Sequence, residues 1–121
     1  YGPIVGAIAA GVGTAAADLA GGYFQWAAIS FLVHGVQGYL VGKLAQMDSL
    51  KALAQRLWYI IGAASVVVVV VGYFLGGIIL VGVGGAVSEV GFNTAQAAIG
   101  SLLGILLYLA IKKAYPQISK L

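Results

Sequence analysis

Residues 57–75 read LWYIIGAASVVVVVVGYFL and decide the fold class, because the stretch contains no charged residue. It is about as long as a transmembrane helix, which needs roughly 20 apolar residues. Its valine run, Val66 to Val71, suits a strand in water. In a bilayer, however, only helices and closed barrels satisfy the backbone hydrogen bonds. The stretch therefore predicts a membrane-spanning helix.

The composition supports a membrane protein throughout the chain. The 121 residues are 62% hydrophobic and 7% charged, with a mean hydropathy of +1.06 and a net charge of +3. A soluble domain carries about 25% charged residues, so the composition excludes a soluble enzyme domain, a nucleic-acid-binding domain and a disordered tail. The chain has no cysteine, which excludes disulfides and thiolate chemistry.

The apolar runs predict an all-α integral membrane protein, a helical bundle in one transmembrane domain over residues 1–121. The expected spans and connections are 3–20, 27–46, 57–75 and 93–114, joined by 21–26, 47–56 and 76–92. Paired glycines break the helix in 21–26. The glycine-rich segment 76–92 predicts a re-entrant or extracytoplasmic loop, which can include a short helix.

Basic residues set the expected orientation. They lie only near the second connection and at or beyond the end of the last span, at Lys43, Lys51, Arg56, Lys112, Lys113 and Lys120. Because lysine and arginine collect in cytoplasmic loops, the 47–56 loop and the C-terminus are expected in the cytoplasm. The 21–26 and 76–92 connections are then expected outside.

Small residues recur every four positions in the first span. The residues expected to pack against partner helices are Gly6, Ala7, Ala10, Gly11, Thr14 and Ala15. Such spacing lets helix backbones approach closely in lipid. The alternative is a lipid-facing helix that is merely rich in alanine.

Polar residues converge on the outward half of the predicted bundle. They are Asp18, His34, Gln37, Glu89, Asn93 and Gln96, with the aromatic residues Tyr23, Trp26, Tyr73, Phe74 and Phe92 at similar depth. An apolar, aromatic cavity with a few polar groups is the usual form of a small-molecule site. The pattern therefore predicts a ligand pocket that opens outward between helix ends.

All of these polar residues except Gln96 also have a simpler explanation. Asp18 can cap a helix end or sit in interfacial water, Glu89 can be a solvated loop charge, and Asn93 can cap the last helix. His34 and Gln37 share a helix face and can form interhelical hydrogen bonds. The aromatic residues can form an interfacial belt.

No pattern in the sequence indicates catalysis. One histidine cannot build a zinc cluster, and neither a G-x-S-x-G nucleophile motif nor a P-loop is present. We therefore expect no enzyme activity, no cofactor and no metal site.

Four stretches resemble the substrate-binding (S) components of energy-coupling factor (ECF) vitamin transporters. They are GPIVGAIAAGVGTAAADLAGGY (2–23), QWAAISFLVHGVQGYLVGKL (25–44), GYFLGG (72–77) and FNTAQAAIGSLLGILLYLAIKKAYP (92–116). Their order is similar to the riboflavin- and hydroxymethylpyrimidine-type branch. The resemblance implies a six-helix fold, of which this chain carries about four helices, so we expect the first two to precede it.

The resemblance also implies a function. An S component is a high-affinity receptor in the prokaryotic plasma membrane for a water-soluble vitamin or precursor of the hydroxymethylpyrimidine, pyridoxine, riboflavin or thiamine type. It topples in the membrane after joining a transmembrane coupling subunit and two cytoplasmic ATPase subunits, which hydrolyse the ATP. The family site maps onto Trp26, His34, Gln37, Tyr73, Glu89, Asn93 and Gln96.

The chain departs from the family pattern at two points. The docking motif of the family's first helix is absent, and Phe92 stands where the family often has proline before Asn93. Two other functions stay open. One is an autonomous small transporter or channel with Asp18 as its membrane acid, and the other is a structural membrane subunit held by helix packing.

Overall fold

The computed structural model describes residues 2–47 and 55–117, which form three helices. Helix α1 spans Gly2–Gly21, α2 spans Phe24–Gln46 and α3 spans Gln55–Ala114. All regular structure in the described ranges is helical, so the expected all-α fold class is confirmed.

Helix α3 is a hairpin of two helical arms, residues 55–81 and 83–114. It breaks at Gly82, whose φ of 76° and ψ of 172° are not helical. Glycine adopts a positive φ readily because it has no Cβ. The arms run antiparallel, since the rings of Trp58 and Tyr108 lie 5.0 Å apart near one end and Gly77 faces Ala86 near the other.

The expected loop over 76–92 is wrong, because helix continues on both sides of Gly82. Gly76 and Gly77 are buried packing positions. A Cβ on Gly76 would lie 2.7 Å from Cγ2 of Ile29, and one on Gly77 would lie 3.2 Å from Cβ of Ala86. These glycines therefore allow close helix packing and do not form a loop.

The turn between α1 and α2 is short. It consists of Gly22, with a φ of 82°, and Tyr23. The Tyr23 backbone N–H donates to the Asp18 carbonyl at 2.8 Å, which satisfies one of the free carbonyls at the end of α1. The other expected connection, 47–56, falls largely on residues 48–54, outside the described residues.

Helix α2 is the centre of the described bundle, because α1 packs on one side of it and α3 on another. Val33, Val69 and Ala97 form a small buried cluster, with one residue from α2 and one from each arm of α3. The buried face of the first arm repeats every four residues through Ile61, Ser65 and Val69. That spacing keeps side chains on one side of a helix.

Within the described ranges, two stretches are long and apolar enough to cross a membrane, namely Gly2–Gly21 and Trp58–Ala114. Large apolar side chains on them are exposed, for example Ile79 at 82% and Phe92 at 71%. Helix α2 does not reach the same hydropathy, since polar residues such as His34 and Gln37 interrupt it. Its crossing stays a prediction.

Candidate functional site

Three aromatic rings meet between α2 and the first arm of α3. The Trp26 and Tyr73 ring centroids lie 5.9 Å apart with planes tilted by 47°. The His34 and Tyr73 centroids lie 5.7 Å apart at 66°, an edge-on contact. Trp26 and His34 are two turns apart on one face of α2. The Tyr73 ring therefore contacts both of them.

Ser30 lies at the centre of this group, between Trp26 and His34 along α2. It is 1% exposed, and its Oγ lies 2.5 Å from the Tyr73 hydroxyl. A buried hydroxyl needs such a partner, because an unpaired polar group in an apolar interior is costly. We call Trp26, Ser30, His34 and Tyr73 the ring cluster.

Ser30 was not predicted as a site residue. Its signal is the spacing, because Trp26, Ser30 and His34 follow one another every four residues and so share a helix face. A serine alone does not indicate a binding site, and the tyrosine that bonds Ser30 is distant in the sequence.

His34 and Gln37 bond to each other within α2. His34 Nδ1 lies 2.6 Å from Gln37 Oε1. An amide oxygen only accepts, so Nδ1 donates, and Nε2 of the neutral ring is left as an acceptor. This bond lies within one helix, so it is not itself the bond between helices that the simpler explanation predicts. Gln37 instead fixes the direction in which the imidazole presents its second nitrogen.

The other predicted site residues lie on the second arm of α3. Glu89 and Asn93 are half-buried, whereas Gln96 is exposed. Asn93 lies inside a helix that runs to Ala114, so its interpretation as a helix cap is wrong. The structure thus brings Trp26, His34, Gln37 and Tyr73 into one group. The remaining three residues lie on a separate segment.

The small residues of α1 pack against α2 of the same chain. All six positions of the predicted stripe are buried or half-buried. A Cβ on Gly6 would lie 2.5 Å from the Gly38 carbonyl oxygen, and one on Gly11 would lie 2.9 Å from the Phe31 carbonyl oxygen. The two backbones therefore touch, and the alternative of a lipid-facing stripe is wrong.

An open apolar groove of about 380 Å³ lies between α2 and the first arm of α3. It is lined by Leu32, Val33, Val36, Val67, Val68, Val71 and Gly72. No polar side chain lines it, so this groove is not the polar and aromatic pocket that the sequence predicts. Among the described residues, no group of three His, Asp or Glu side chains is placed to hold a metal ion.

The fold and this cluster define the class of protein. The described chain is a bundle of apolar helices with a polar and aromatic group packed between them. A long apolar exterior requires lipid around it. The molecule is therefore an all-helical membrane protein.

Comparison with known proteins identifies the family. The model of the ECF-type riboflavin transporter S component family matches residues 1–113, and the chain belongs to this family. It is 32% identical over 115 residues to an uncharacterized protein in the gap 3′ region of Pyrococcus woesei. That alignment covers 86% of this chain and 67% of the relative. No solved structure matches the chain.

Family membership confirms the resemblance seen in the sequence. Members are substrate-binding components of transporters and are not enzymes. They bind a small vitamin substrate and work with an energy-coupling module. The chain is thus a membrane component of vitamin transport.

Proposed function

We propose that this protein is a high-affinity receptor for a flat, water-soluble vitamin or precursor of the hydroxymethylpyrimidine, pyridoxine, riboflavin or thiamine type. The observation that carries the proposal is the ring cluster in a chain of this family. Aromatic side chains offer flat faces and polar edges to a heterocycle. The family name favours riboflavin among these ligands.

Each group in the cluster has a separate task in this proposal. Trp26 and Tyr73 pack against the heterocycle. His34 presents Nε2 as an acceptor because Gln37 holds Nδ1. In the Ser30–Tyr73 pair only one hydroxyl donates to the other, so one hydroxyl hydrogen remains for a ligand oxygen or nitrogen.

The second arm of α3 supplies the opposite wall of the proposed site. Asn93 and Gln96 offer amides that both donate and accept, and Glu89 offers a carboxylate acceptor. Val69 and Ala97 pack in the same buried cluster, which holds this arm against the arm that carries Tyr73. Ligand binding would bring Gln96 out of solvent or lipid and into contact.

The proposed transport cycle depends on partner subunits. We propose a transmembrane coupling subunit and two cytoplasmic ATPase subunits, which supply the ATP hydrolysis. The small residues of α1 are already in contact with α2. The coupling subunit therefore docks on another face, such as the exposed side of α1 with Ile4, Ile8 and Val12.

The proposed orientation follows from charge. The C-terminus, which follows Lys112 and Lys113, lies in the cytoplasm of a prokaryotic cell, and the turns at Gly22 and Gly82 face outward. A C-terminal reporter that is active only in the cytoplasm is the expected result. A reporter active only outside the cell would contradict this orientation.

The first experiment is mass spectrometry of small molecules released from the complete protein purified in detergent. A vitamin or precursor present at about one molecule per protein supports the receptor and names its substrate. A protein that releases no such molecule, even from cells grown in vitamin-rich medium, contradicts the proposal. Proton-dependent flux by that protein alone would instead favour an autonomous transporter.

Variants of the second arm test the proposed site. Asn93→Ala or Gln96→Ala leaves a ligand group unpaired, which costs about 1–3 kcal/mol, or roughly 5- to 150-fold in affinity. Titration calorimetry measures the loss. Thr94→Val is the matched control, because the Thr94 hydroxyl donates back to the Val90 carbonyl at 2.7 Å in an exposed position. Unchanged affinity in both alanine variants would rule out these contacts.

A further inference from the structure

Asp18 lies beside the ring cluster, although the proposed function does not use it. On α1, Thr14 lies opposite Ser30 of α2, with its Oγ1 3.3 Å from the Ser30 carbonyl oxygen. Because α1 and α2 run antiparallel, one further turn of α1 brings Asp18 level with Trp26. The Tyr23 backbone N–H donates to the Asp18 carbonyl, which holds this end of α1 beside the start of α2.

The Asp18 carboxylate has an oxygen that nothing in the described chain satisfies. Oδ2 is buried and has no hydrogen-bond partner among the described residues. The nearby Thr14 hydroxyl donates to its own helix, at the Ala10 carbonyl, 2.8 Å away. A buried carboxylate oxygen without a donor is costly, so this position requires a complement from elsewhere.

No nearby positive charge among the described residues compensates the Asp18 carboxylate. Asp18 lies in the last turn of α1, where the helix dipole is negative and disfavours a carboxylate. No basic residue lies in that turn. The described lysines are distant, with Lys43 near the far end of α2 and Lys112 and Lys113 near the end of α3.

We propose that Asp18 accepts a hydrogen bond from an N–H or amino group of the bound heterocycle, beside the ring of Trp26. The inference rests on the proposed function and narrows the range of possible ligands, because it requires a heterocycle with a hydrogen-bond donor on its edge. A ligand that offered only acceptors would leave Oδ2 unpaired and would add repulsion between lone pairs. Asp18 is then a specificity-determining residue of the site.

Two pairs of probes, which differ at one ring donor, test this contact. They are thiamine against oxythiamine, in which a carbonyl acceptor replaces the exocyclic amino donor, and riboflavin against 3-methylriboflavin, in which a ring N–H is methylated. Titration calorimetry on the complete protein gives the ratio of dissociation constants within each pair. The variants are Asp18→Asn, which removes the charge at nearly constant shape, and Asp18→Ala.

We expect the wild type to prefer the donor-bearing member of the pair that it binds. Hydrogen bonds to charged groups are the stronger ones. Asp18→Asn should therefore lower the affinity for that member about tenfold, and Asp18→Ala should lower it roughly 100-fold. The affinity for its analogue should fall much less. Gln25→Ala, an exposed position on α2, should keep the wild-type ratio.

Equal losses for both members of a pair would show that Asp18 supports only the fold, which overturns the inference and leaves the proposed function standing. A wild type that binds none of the four probes overturns the inference for these ligands. The proposed function is overturned with it only where mass spectrometry also finds no vitamin or precursor bound to the protein. An Asp18→Ala variant that binds the donor-bearing member with wild-type affinity, and still prefers it as strongly as the wild type does, also overturns the inference.

Thermal stability gives a second measurement that does not depend on the ligand pairs. An uncompensated carboxylate destabilises the unliganded protein, so Asp18→Asn should melt at a higher temperature than the wild type without ligand. The rise in melting temperature caused by the donor-bearing probe should be smaller in the variant. A lower melting temperature of unliganded Asp18→Asn would contradict the premise that the carboxylate lacks a partner.

Discussion

Helix α2 makes two interfaces that differ in kind. Towards α1, glycine meets backbone, since a Cβ on Gly42 would lie 2.7 Å from the Gly2 carbonyl oxygen and one on Gly38 would collide with the Gly6 carbonyl. Towards α3, glycine meets side chains, since a Cβ on Gly72 would lie 2.6 Å from Cγ2 of Val33. Backbone atoms cannot move aside, whereas a side chain can change its rotamer.

The difference separates two tasks within one small bundle. The α1–α2 interface fixes the distance and register of two helices by van der Waals contact between backbones. The α2–α3 interface contains Trp26, Ser30, His34 and Tyr73. Their rings and hydroxyls can stack on a ligand and form hydrogen bonds with it. The rigid α1–α2 interface thus fixes the position of α2, and the more adaptable α2–α3 interface contains the site.

The largest effect is expected where glycine meets backbone. Gly6→Ala puts a Cβ 2.5 Å from the Gly38 carbonyl oxygen, so α1 must move away from α2. We expect a loss of about 2–3 kcal/mol, despite the better helix propensity of alanine. Unfolding in mixed detergent micelles measures it.

Gly13→Ala is the matched control on the same helix, because nothing lies within 4 Å of its added Cβ. It should be neutral or stabilise by up to about 1 kcal/mol, since alanine is the better helix former. Equal stability of the two variants would remove the distinction between the interfaces.

An intermediate effect is expected for the hydroxyl pair at the second interface. Tyr73→Phe leaves the buried Ser30 hydroxyl without its partner, which should cost about 1–2 kcal/mol. The double variant Tyr73→Phe with Ser30→Ala removes both hydroxyls and should regain part of that loss. A double-mutant cycle measures the coupling. Strictly additive losses would show that the two hydroxyls do not act as a pair.

The smallest effect is expected where glycine meets a side chain. Gly76→Ala places a Cβ 2.7 Å from Cγ2 of Ile29, which can rotate or shift. We expect a net loss of less than about 1 kcal/mol, because the better helix propensity of alanine offsets part of the strain. Adding Ile29→Val should relieve what remains. A Gly76→Ala loss as large as that of Gly6→Ala would contradict the comparison.

Gly62→Ala is the control for this arm of α3, since nothing lies within 4 Å of its added Cβ. It should match Gly13→Ala in sign and size. The four glycine variants together then compare a backbone contact and a side-chain contact, each with a free position on its own helix.

Much of the site could be predicted from sequence, because its members follow helical spacing or are costly in a membrane. Trp26, His34 and Tyr73 were expected at similar depth, and the structure brings them together. Ser30 was not expected, since only the position of Tyr73 gives its hydroxyl a purpose. Asp18 was expected near the outer surface, but its unpaired oxygen depends on which donors surround it.

The glycines show the same limit for the fold. Glycine-rich sequence between 76 and 92 predicts a loop, because glycine is usually a helix breaker. Gly76 instead lies in a helix against Ile29, and the reversal needs only Gly82. A glycine that permits close packing and a glycine that makes a turn look alike until their neighbours are known.

The sequence by itself determined the helical membrane class, the family and the small-residue face of α1, since these depend on hydropathy and on spacing along one helix. Only the tertiary structure decided which hydroxyl pairs with Tyr73, where α3 reverses and which carboxylate lacks a donor. The physical reason is that membrane insertion and helix formation depend on local sequence. Pairing of buried polar groups depends on neighbours that are distant along the chain.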